Sequence, residues 1–126
     1  MKCASVLIVE DEVLIRMMLV EMVELLGHKV IGEAGRIEEG QSLAETQEYD
    51  LAILDINLQG FNVRPVAEAV RSRGLPLLFL SGYGSNGAPV GFKGTPVLEK
   101  PCTPDKLKRM IDTALSNEEP DQAQAS

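Results

Sequence analysis

The sequence is poor in basic and in aromatic residues. It has 12 lysines and arginines against 19 acidic residues, a formal charge of -7 and an isoelectric point near 4.7. Because binding to nucleic-acid phosphates requires a basic surface, this balance argues against direct recognition of DNA or RNA. No basic patch interleaved with aromatic residues is present to change that expectation.

Long hydrophobic runs and patterned cysteines are also missing. The longest apolar stretch is far shorter than the roughly 20 residues that span a bilayer, and no signal-peptide cleavage pattern follows Met1. Cys3 and Cys102 have no metal-binding or redox spacing, and we expect them at opposite edges of the sheet as free thiols in a reducing compartment. The sequence therefore predicts a cytoplasmic protein without membrane insertion.

What is present is an alternation of apolar strand-like runs with helical patterns. The 126 residues, 44% of them hydrophobic, are enough for one domain with a core. Strands are predicted at 5–9, 30–31, 51–55, 76–80 and 97–99, and helices at 12–26, 37–47, 63–72 and 104–116. Buried strands that alternate with helices predict an α/β fold, a doubly wound parallel sheet with helices on both faces.

Two segments depart from this regular pattern. Residues 82–94 contain five glycines and Pro89, and each glycine costs a helix interior about 1 kcal/mol, so the fourth helix is predicted to be short or disordered. The polar segment 118–126 is predicted to be a disordered tail beyond a domain that spans 1–117.

The first helix is predicted to bury one arc of apolar side chains and to leave a second set partly exposed. The buried arc comprises Ile15, Met18, Leu19, Met22, Leu25 and Leu26, opposite a polar face that includes Arg16. The partly exposed set comprises Leu14, Met17 and Val20. His28 is interpreted as an ordinary surface residue.

Residues with reactive side chains stand at the predicted ends of four strands. Asp55 ends the most apolar run, at the position where an open α/β sheet places its ligands, but taken alone an aspartate that merely ends a strand or caps a helix is equally typical. Right-handed crossovers place the ends of parallel strands on one edge, so the other three strand ends should lie near Asp55. They contribute Glu10, Asp11, Ser81 and Lys100. Carboxylates, a hydroxyl and an amine together suit Mg²⁺-assisted phosphoryl chemistry.

These residues resemble the receiver domain of two-component response regulators. The resemblance rests on Val9-Glu10-Asp11-Glu12, Leu54-Asp55, Ser81-Gly82 and Lys100-Pro101, and it covers about residues 4–117. It implies a flavodoxin-like (βα)5 fold with strand order 2-1-3-4-5 and a cis Lys100–Pro101 bond.

The same resemblance implies a role for each site residue. Asp55 would be the phosphoacceptor, Ser81 the hydroxyl that moves to the phosphoryl group, and Lys100 its cationic partner. Mg²⁺ would be held by Glu10, Asp11, Asp55 and the main-chain carbonyl of Asn57.

The sequence departs from the family pattern at Val97. Receivers usually carry a tyrosine or phenylalanine three residues before the lysine, so the usual switching by aromatic rotation is unavailable. The Phe79-Leu80-Ser81-Gly82 segment resembles stand-alone receivers that lack this aromatic switch. We hypothesise that segment 82–94 orders on phosphorylation instead.

Other functions are weighed against the same residues. A phosphohydrolase of the haloacid dehalogenase type needs a second aspartate two residues after the nucleophile, where this chain has Asn57. A flavin-binding module needs a loop rich in glycine and hydroxyl groups after the first strand, where Glu10-Asp11-Glu12 would repel a phosphate. A degenerate receiver that acts as a phosphorylation-independent scaffold stays open.

The expected phosphoryl donor is a sensor histidine kinase or a histidine phosphotransfer protein, with Leu14, Met17 and Met18 at the contact. The output is expected to be a protein contact, or phosphate transfer as a relay or sink. We expect a monomer or weak homodimer.

Overall fold

The structure is a computed structural model that describes residues 3–82 and 88–116. Within those residues the chain forms seven strands and four helices. The strands are β1 (Ser5–Val9), β2 (Lys29–Ala34), β3 (Leu51–Asp55), β4 (Asn57–Leu58), β5 (Phe61–Asn62), β6 (Leu77–Ser81) and β7 (Val97–Glu99). The helices are α1 (Val13–Leu25), α2 (Ile37–Thr46), α3 (Arg64–Ser72) and α4 (Pro104–Ser116).

The main sheet has five parallel strands in the order β2-β1-β3-β6-β7. This is the order that the family resemblance implies, with β3 at the centre. Because all five strands run the same way, their carboxyl ends share one edge. β4 and β5 form a separate antiparallel hairpin directly after β3.

Side chains that alternate along each strand fill two separate cores. Leu7, Val9 and Leu54 face the core that contains α2 and α3, whereas Ile8 and Ile53 face the core that contains α1 and α4. A strand buried on both faces accommodates an unbroken apolar run, which is why 51–55 lacks a polar alternation. The doubly wound prediction is confirmed.

Helix α1 is less buried than its apolar pattern predicts. Its fully buried side chains are Leu19 and Val23, and the prediction omitted Val23. Met18 and Leu25, predicted to be buried, are 52% and 78% exposed, so that part of the prediction is wrong. The side of the predicted arc that carries Met18 and Leu25 turns toward solvent.

The connection from β6 to β7 contains no helix within its described residues, 82 and 88–96, where the backbone forms turns and bends. This is consistent with the prediction that the fourth helix is short or disordered. Residues 83–87 lie outside the described part, so the hypothesis that 82–94 orders on phosphorylation stays a prediction. The predicted tail also lies outside it, beyond residue 116.

One aromatic side chain attaches this connection to the domain. Phe92 is buried and packs edge-on against Phe79 of β6, with ring centroids 5.7 Å apart. The Arg71 guanidinium of α3 lies 3.9 Å from the centroid of the Phe92 ring and donates a hydrogen bond to the Gly91 carbonyl. Residues 91 and 92 are thereby held against α3 and β6.

Two smaller predictions concern the cysteines and His28. Both cysteines are free, with Cys3 before β1 and Cys102 after β7, at opposite ends of parallel strands. His28 is not a surface residue: it is buried, and its Nδ1 accepts a hydrogen bond from the Ala4 amide at 3.0 Å. None of the helices in the described part of the chain is both long and apolar enough to cross a membrane.

Candidate functional site

The carboxyl edge of the sheet brings two of the predicted strand-end carboxylates to the ammonium group of a third strand-end residue, Lys100. Lys100 Nζ lies 3.0 Å from Glu10 Oε1 and 3.1 Å from Asp55 Oδ2. Glu10, Asp55 and the side chain of Lys100 are all largely shielded from solvent. A buried lysine that contacts two carboxylates offsets part of their desolvation cost.

The buried carboxylates have perturbed proton affinities. Burial raises the pKa of Glu10 to about 7, and the nearby Asp55 charge adds to this, against the Glu12 amide and Lys100. Burial also raises the pKa of Asp55, although Lys100 opposes it. Burial alone would lower the pKa of Lys100, but its contacts with the two carboxylates outweigh burial and raise it. Lys100 therefore does not fully offset the burial of the two carboxylates, and a further cation would stabilise their ionised forms.

The lysine reaches this position because β7 pairs with β6. Ser81 lies opposite Glu99 in the register, and the Lys100 amide donates to the Ser81 carbonyl at 2.9 Å. The Lys100–Pro101 peptide bond is cis, as the family resemblance implies.

The third carboxylate, Asp11, connects the site to the β4–β5 hairpin. Its Oδ2 accepts a hydrogen bond from the Gln59 amide at 3.1 Å. Gln59 and Gly60 form the two-residue turn with φ of 53° and 88°, which is the left-handed geometry of a tight hairpin turn. Asn57 contributes its side-chain oxygen as acceptor for the Gly60 amide and its own amide as donor to Asp55 Oδ1.

Glu10, Asp11 and Asp55 fit a divalent metal ion. Each offers a carboxylate oxygen, and these oxygens lie within 4.8 Å of one another. Asp11 is partly exposed, which leaves room for water in the coordination shell. Mg²⁺ prefers hard oxygen ligands and keeps several waters, so the donor set suits Mg²⁺ better than a thiophilic metal. These residues could hold the ion directly.

Ser81 lies at the same edge of the sheet, but its hydroxyl is hydrogen-bonded to a neighbouring main-chain carbonyl and not to the lysine or the carboxylates. It is buried at the end of β6, and its Oγ makes a long hydrogen bond of 3.4 Å to the Gly82 carbonyl. Among the described residues, no hydrogen bond links this hydroxyl to Asp55 or Lys100. Val97, at the position where receivers usually carry an aromatic residue, is half-buried against the core that contains Phe79 and Phe92.

Sequence reasoning missed two residues that contact the acidic pair, Glu10 and Asp11. Arg16 was assigned to the solvent face of α1, but its Nη1 donates to the Glu10 main-chain carbonyl at 2.9 Å. Gln59, whose amide binds Asp11, carried no recognisable signal because main-chain donors are common to every residue. For Arg16 the available signal was its place one turn into the helix that follows the acidic pair.

The receiver class is defined by a doubly wound parallel sheet with four functional residues at one edge. Here these are Asp55 at the end of the central strand, the acidic pair Glu10–Asp11 and Lys100. The family model of the response regulator receiver domain matches residues 6–112. The chain therefore belongs to the response regulator receiver family, whose members are signalling proteins and bind Mg²⁺ at an acidic pocket.

The share of a relative's length that the chain matches differs from one relative to the next. The chain is 38% identical over 79 residues to the transcriptional regulatory protein PdtaR of Mycobacterium tuberculosis, covering 62% of this chain and 38% of PdtaR. It is 31% identical over 120 residues to the probable chemotaxis protein CheY of Rhizobium etli, covering 88% of this chain and 92% of that protein. The solution structure of SdrG from Sphingomonas melonis Fr1 superimposes with a TM-score of 0.82 at 36% identity, covering 91% of this chain and 99% of SdrG.

Proposed function

We propose that this receiver takes a phosphoryl group onto Asp55 from a histidine kinase or a histidine phosphotransfer protein in a Mg²⁺-dependent reaction. The observation that carries the proposal is the Lys100 ammonium held between Asp55 and Glu10, at 3.1 and 3.0 Å, on the edge where β3 ends. A phosphoacceptor needs a nucleophile beside fixed positive charge, because the transferring group is anionic.

In the proposed step, one Asp55 carboxylate oxygen forms a bond to phosphorus. The bond from phosphorus to the donor imidazole nitrogen breaks, and the electron pair stays on that nitrogen. Lys100, already within 3.1 Å of Oδ2, stabilises negative charge on the phosphoryl oxygens. The Ser81 hydroxyl, which donates a hydrogen bond to the Gly82 carbonyl in this structure, donates instead to a phosphoryl oxygen.

The metal would be held by Glu10, Asp11, Asp55 and the main-chain carbonyl of Asn57. When bound, Mg²⁺ neutralises charge on the transferring group and on the carboxylates around it. The hydrogen bond from the Gln59 amide orients the Asp11 carboxylate, and the Glu12 amide orients Glu10. The site thus has its carboxylates arranged before any ion arrives.

The proposed donor surface is the exposed apolar face of α1, beside the acidic edge. Leu14 is 75% exposed and Met17 is 59% exposed, although both are large apolar side chains. A groove of about 350 Å³ adjoins this face and is mostly apolar. Its apolar lining comprises Ile15, Met18, Leu19, Met22, Pro101 and Cys102, and Glu12, Gly82 and Lys100 complete it on the side of the acidic edge. A helical phosphodonor could bury this surface while it presents its histidine to Asp55.

The donor contact is tested with Leu14→Asp. A charge at this exposed position should slow phosphotransfer from the cognate kinase and leave phosphorylation by a small molecule unchanged. Equal kinase transfer to the wild type and the variant would show that α1 is not the contact.

The phosphoacceptor function itself is tested with acetyl phosphate as donor. Purified chain is incubated with and without Mg²⁺, beside Asp55→Ala and beside Asp50→Ala as a control at an exposed aspartate. We expect Mg²⁺-dependent incorporation of one phosphoryl group that Asp55→Ala abolishes and Asp50→Ala preserves. A wild-type chain that binds Mg²⁺ but takes up no phosphoryl group, from acetyl phosphate or from its kinase, would instead indicate a phosphorylation-independent scaffold.

A further inference from the structure

Arg16 connects the β1–α1 connection, which contains Glu10 and Asp11, to the end of β2. From the first turns of α1, its Nη1 donates to the Glu10 carbonyl at 2.9 Å, and its Nε lies 3.4 Å from Glu33 Oε1 at the end of β2. The arginine side chain is 22% exposed, which is low for a residue on the polar face of a surface helix. Its guanidinium therefore occupies a defined place between the β1–α1 and β2–α2 connections.

That place exists because residue 35 has no side chain. A Cβ added to Gly35 would lie 2.8 Å from Arg16 Nη1, and only 3.6 Å from both Asp11 Cα and the Glu10 carbonyl. The first distance is too short for any real contact, whereas the other two are ordinary. An alanine at position 35 would displace the guanidinium and leave the main chain where it is.

The residue that Arg16 contacts is held by all of its polar groups. The Glu10 amide donates to the Ala34 carbonyl at 2.9 Å, Oε2 accepts from the Glu12 amide, and Oε1 contacts Lys100. Arg16 supplies the partner of the remaining polar group, the main-chain carbonyl. That carbonyl belongs to the peptide bond between Glu10 and Asp11, so its orientation sets both carboxylates.

We propose that Arg16 is a positioning residue: it fixes the peptide between Glu10 and Asp11 so that both carboxylates face one metal ion, in the space that Gly35 leaves open. The inference rests on the proposed Mg²⁺ site and assigns this role to a residue that touches neither the ion nor the phosphoryl group. Partners that orient metal ligands in this way typically change metal affinity by roughly 10–100-fold.

The direction of the change in Mg²⁺ affinity distinguishes a positioning role of Arg16 from a purely electrostatic one. Loss of a cation near three carboxylates would by itself strengthen Mg²⁺ binding, because the guanidinium repels the ion. Loss of positioning weakens it. Arg16→Ala should therefore raise the Mg²⁺ dissociation constant about 10-fold, measured by calorimetric titration of the full chain with MgCl₂.

Gly35→Ala provides an independent variant that keeps the arginine and its charge. It should weaken Mg²⁺ binding to a similar extent by moving the guanidinium off the Glu10 carbonyl. The double variant Arg16→Ala/Gly35→Ala should be no weaker than the poorer single variant, because both changes remove the same contact. Arg16→Lys should recover part of the affinity, since an amine can still donate to the carbonyl.

Arg64→Ala is the matched control, because it removes an exposed arginine whose ion pair is with Glu68 of the same helix, α3. Unfolding by urea is measured in parallel for every variant. A merely structural role would lower the free energy of unfolding and leave the Mg²⁺ dissociation constant of the folded chain unchanged.

Two results would overturn the inference in distinguishable ways. If the wild type binds Mg²⁺ and both Arg16→Ala and Gly35→Ala bind it equally or more tightly, Arg16 does not position the ligands while the proposed function stands. If the wild type shows no Mg²⁺ binding, the metal site itself is absent and the proposed function fails with it. If Arg16→Ala does not fold, Gly35→Ala decides.

Discussion

The two sides of the site are organised differently. On the carboxylate side, Glu10 and Asp55 share the Lys100 ammonium, and Asp11 is bonded to the hairpin turn. On the hydroxyl side, Ser81 makes one long hydrogen bond to its neighbour Gly82, and the described residues that follow form turns in place of a helix.

This difference assigns separate tasks to the two sides. A metal ion and a phosphoryl group need ligands that are already in place, because reorganisation during the reaction would cost part of the binding energy. A signal needs a part that changes once the phosphoryl group is present. The carboxylate side suits the first task, and the hydroxyl side, with Val97 in place of an aromatic residue, suits the second.

The largest expected effect tests how firmly the hydroxyl side is attached to the domain. Phe92→Ala should lower the free energy of unfolding by about 3 kcal/mol, because it removes a buried ring that packs on Phe79 and Arg71. Val90→Ala, at a side chain that is 78% exposed, should change it by less than about 0.5 kcal/mol. Urea unfolding measures both, and equal effects would mean that Phe92 does not anchor the connection.

The next effect tests the preformed charge on the carboxylate side. Lys100→Met should slow phosphorylation by acetyl phosphate about 100-fold, the usual size for loss of one fixed donor to a developing anion. Lys108→Met removes an exposed lysine paired with Asp112 and should leave the rate unchanged. A Lys100→Met rate within threefold of the wild-type rate would contradict the role given to the ammonium.

A smaller effect concerns pH. The folded pKa of Glu10, about 7, lies above its ordinary value of 4.5, so the folded state binds more protons than the unfolded state between these values. The free energy of unfolding of the metal-free chain should therefore fall as pH rises from about 4.5 to about 7, by on the order of 2 kcal/mol. Urea titrations across this range check the slope.

Glu10→Gln should flatten that dependence, because glutamine keeps the shape and cannot ionise. Glu21→Gln, at an exposed position on α1, is the control and should keep the wild-type slope. Saturating Mg²⁺ should raise the stability of the wild type above pH 7, where the carboxylates are ionised. A wild-type stability that instead increases with pH through this window would refute the raised folded pKa of Glu10.

The smallest expected change in stability comes from a substitution on the hydroxyl side, at Ser81. Ser81→Ala should change the free energy of unfolding by less than about 1 kcal/mol, since its hydroxyl makes only a 3.4 Å hydrogen bond in the unphosphorylated chain. Its effect should emerge after phosphorylation, as a smaller change in amide exchange across residues 88–96, while Ser81→Thr keeps the wild-type response. A response in Ser81→Ala as large as in the wild type would remove the hydroxyl from the switch.

The parts of this site that sequence could predict are those set by strand ends. Asp55 and Lys100 follow apolar runs, and parallel strands must end at one edge, so their proximity follows from the chain order alone. The place of Arg16 one turn into the helix after Glu10 and Asp11 was not sufficient to predict its contact with the Glu10 carbonyl, because an arginine on a polar helix face points to solvent as readily as to a main-chain oxygen.

The degree of burial was also beyond the sequence pattern. Periodicity marks the apolar side of α1, but the neighbouring elements decide how much of that side they cover, which is why Met18 is exposed and Val23 is buried. The His28 ring accepts a hydrogen bond from the Ala4 amide, which is far away in the chain, so no local sequence pattern indicated that His28 is buried.

The central claim, that Asp55 carries the phosphoryl group, is tested most directly by chemical trapping. Borohydride reduces an acyl phosphate to an alcohol, so an aspartyl phosphate becomes homoserine at the modified position. We predict that chain treated with acetyl phosphate and Mg²⁺, then borohydride, contains homoserine at position 55, detected by peptide mass spectrometry. Homoserine at position 11 in its place, or no homoserine in a chain shown to carry phosphate, would contradict the account.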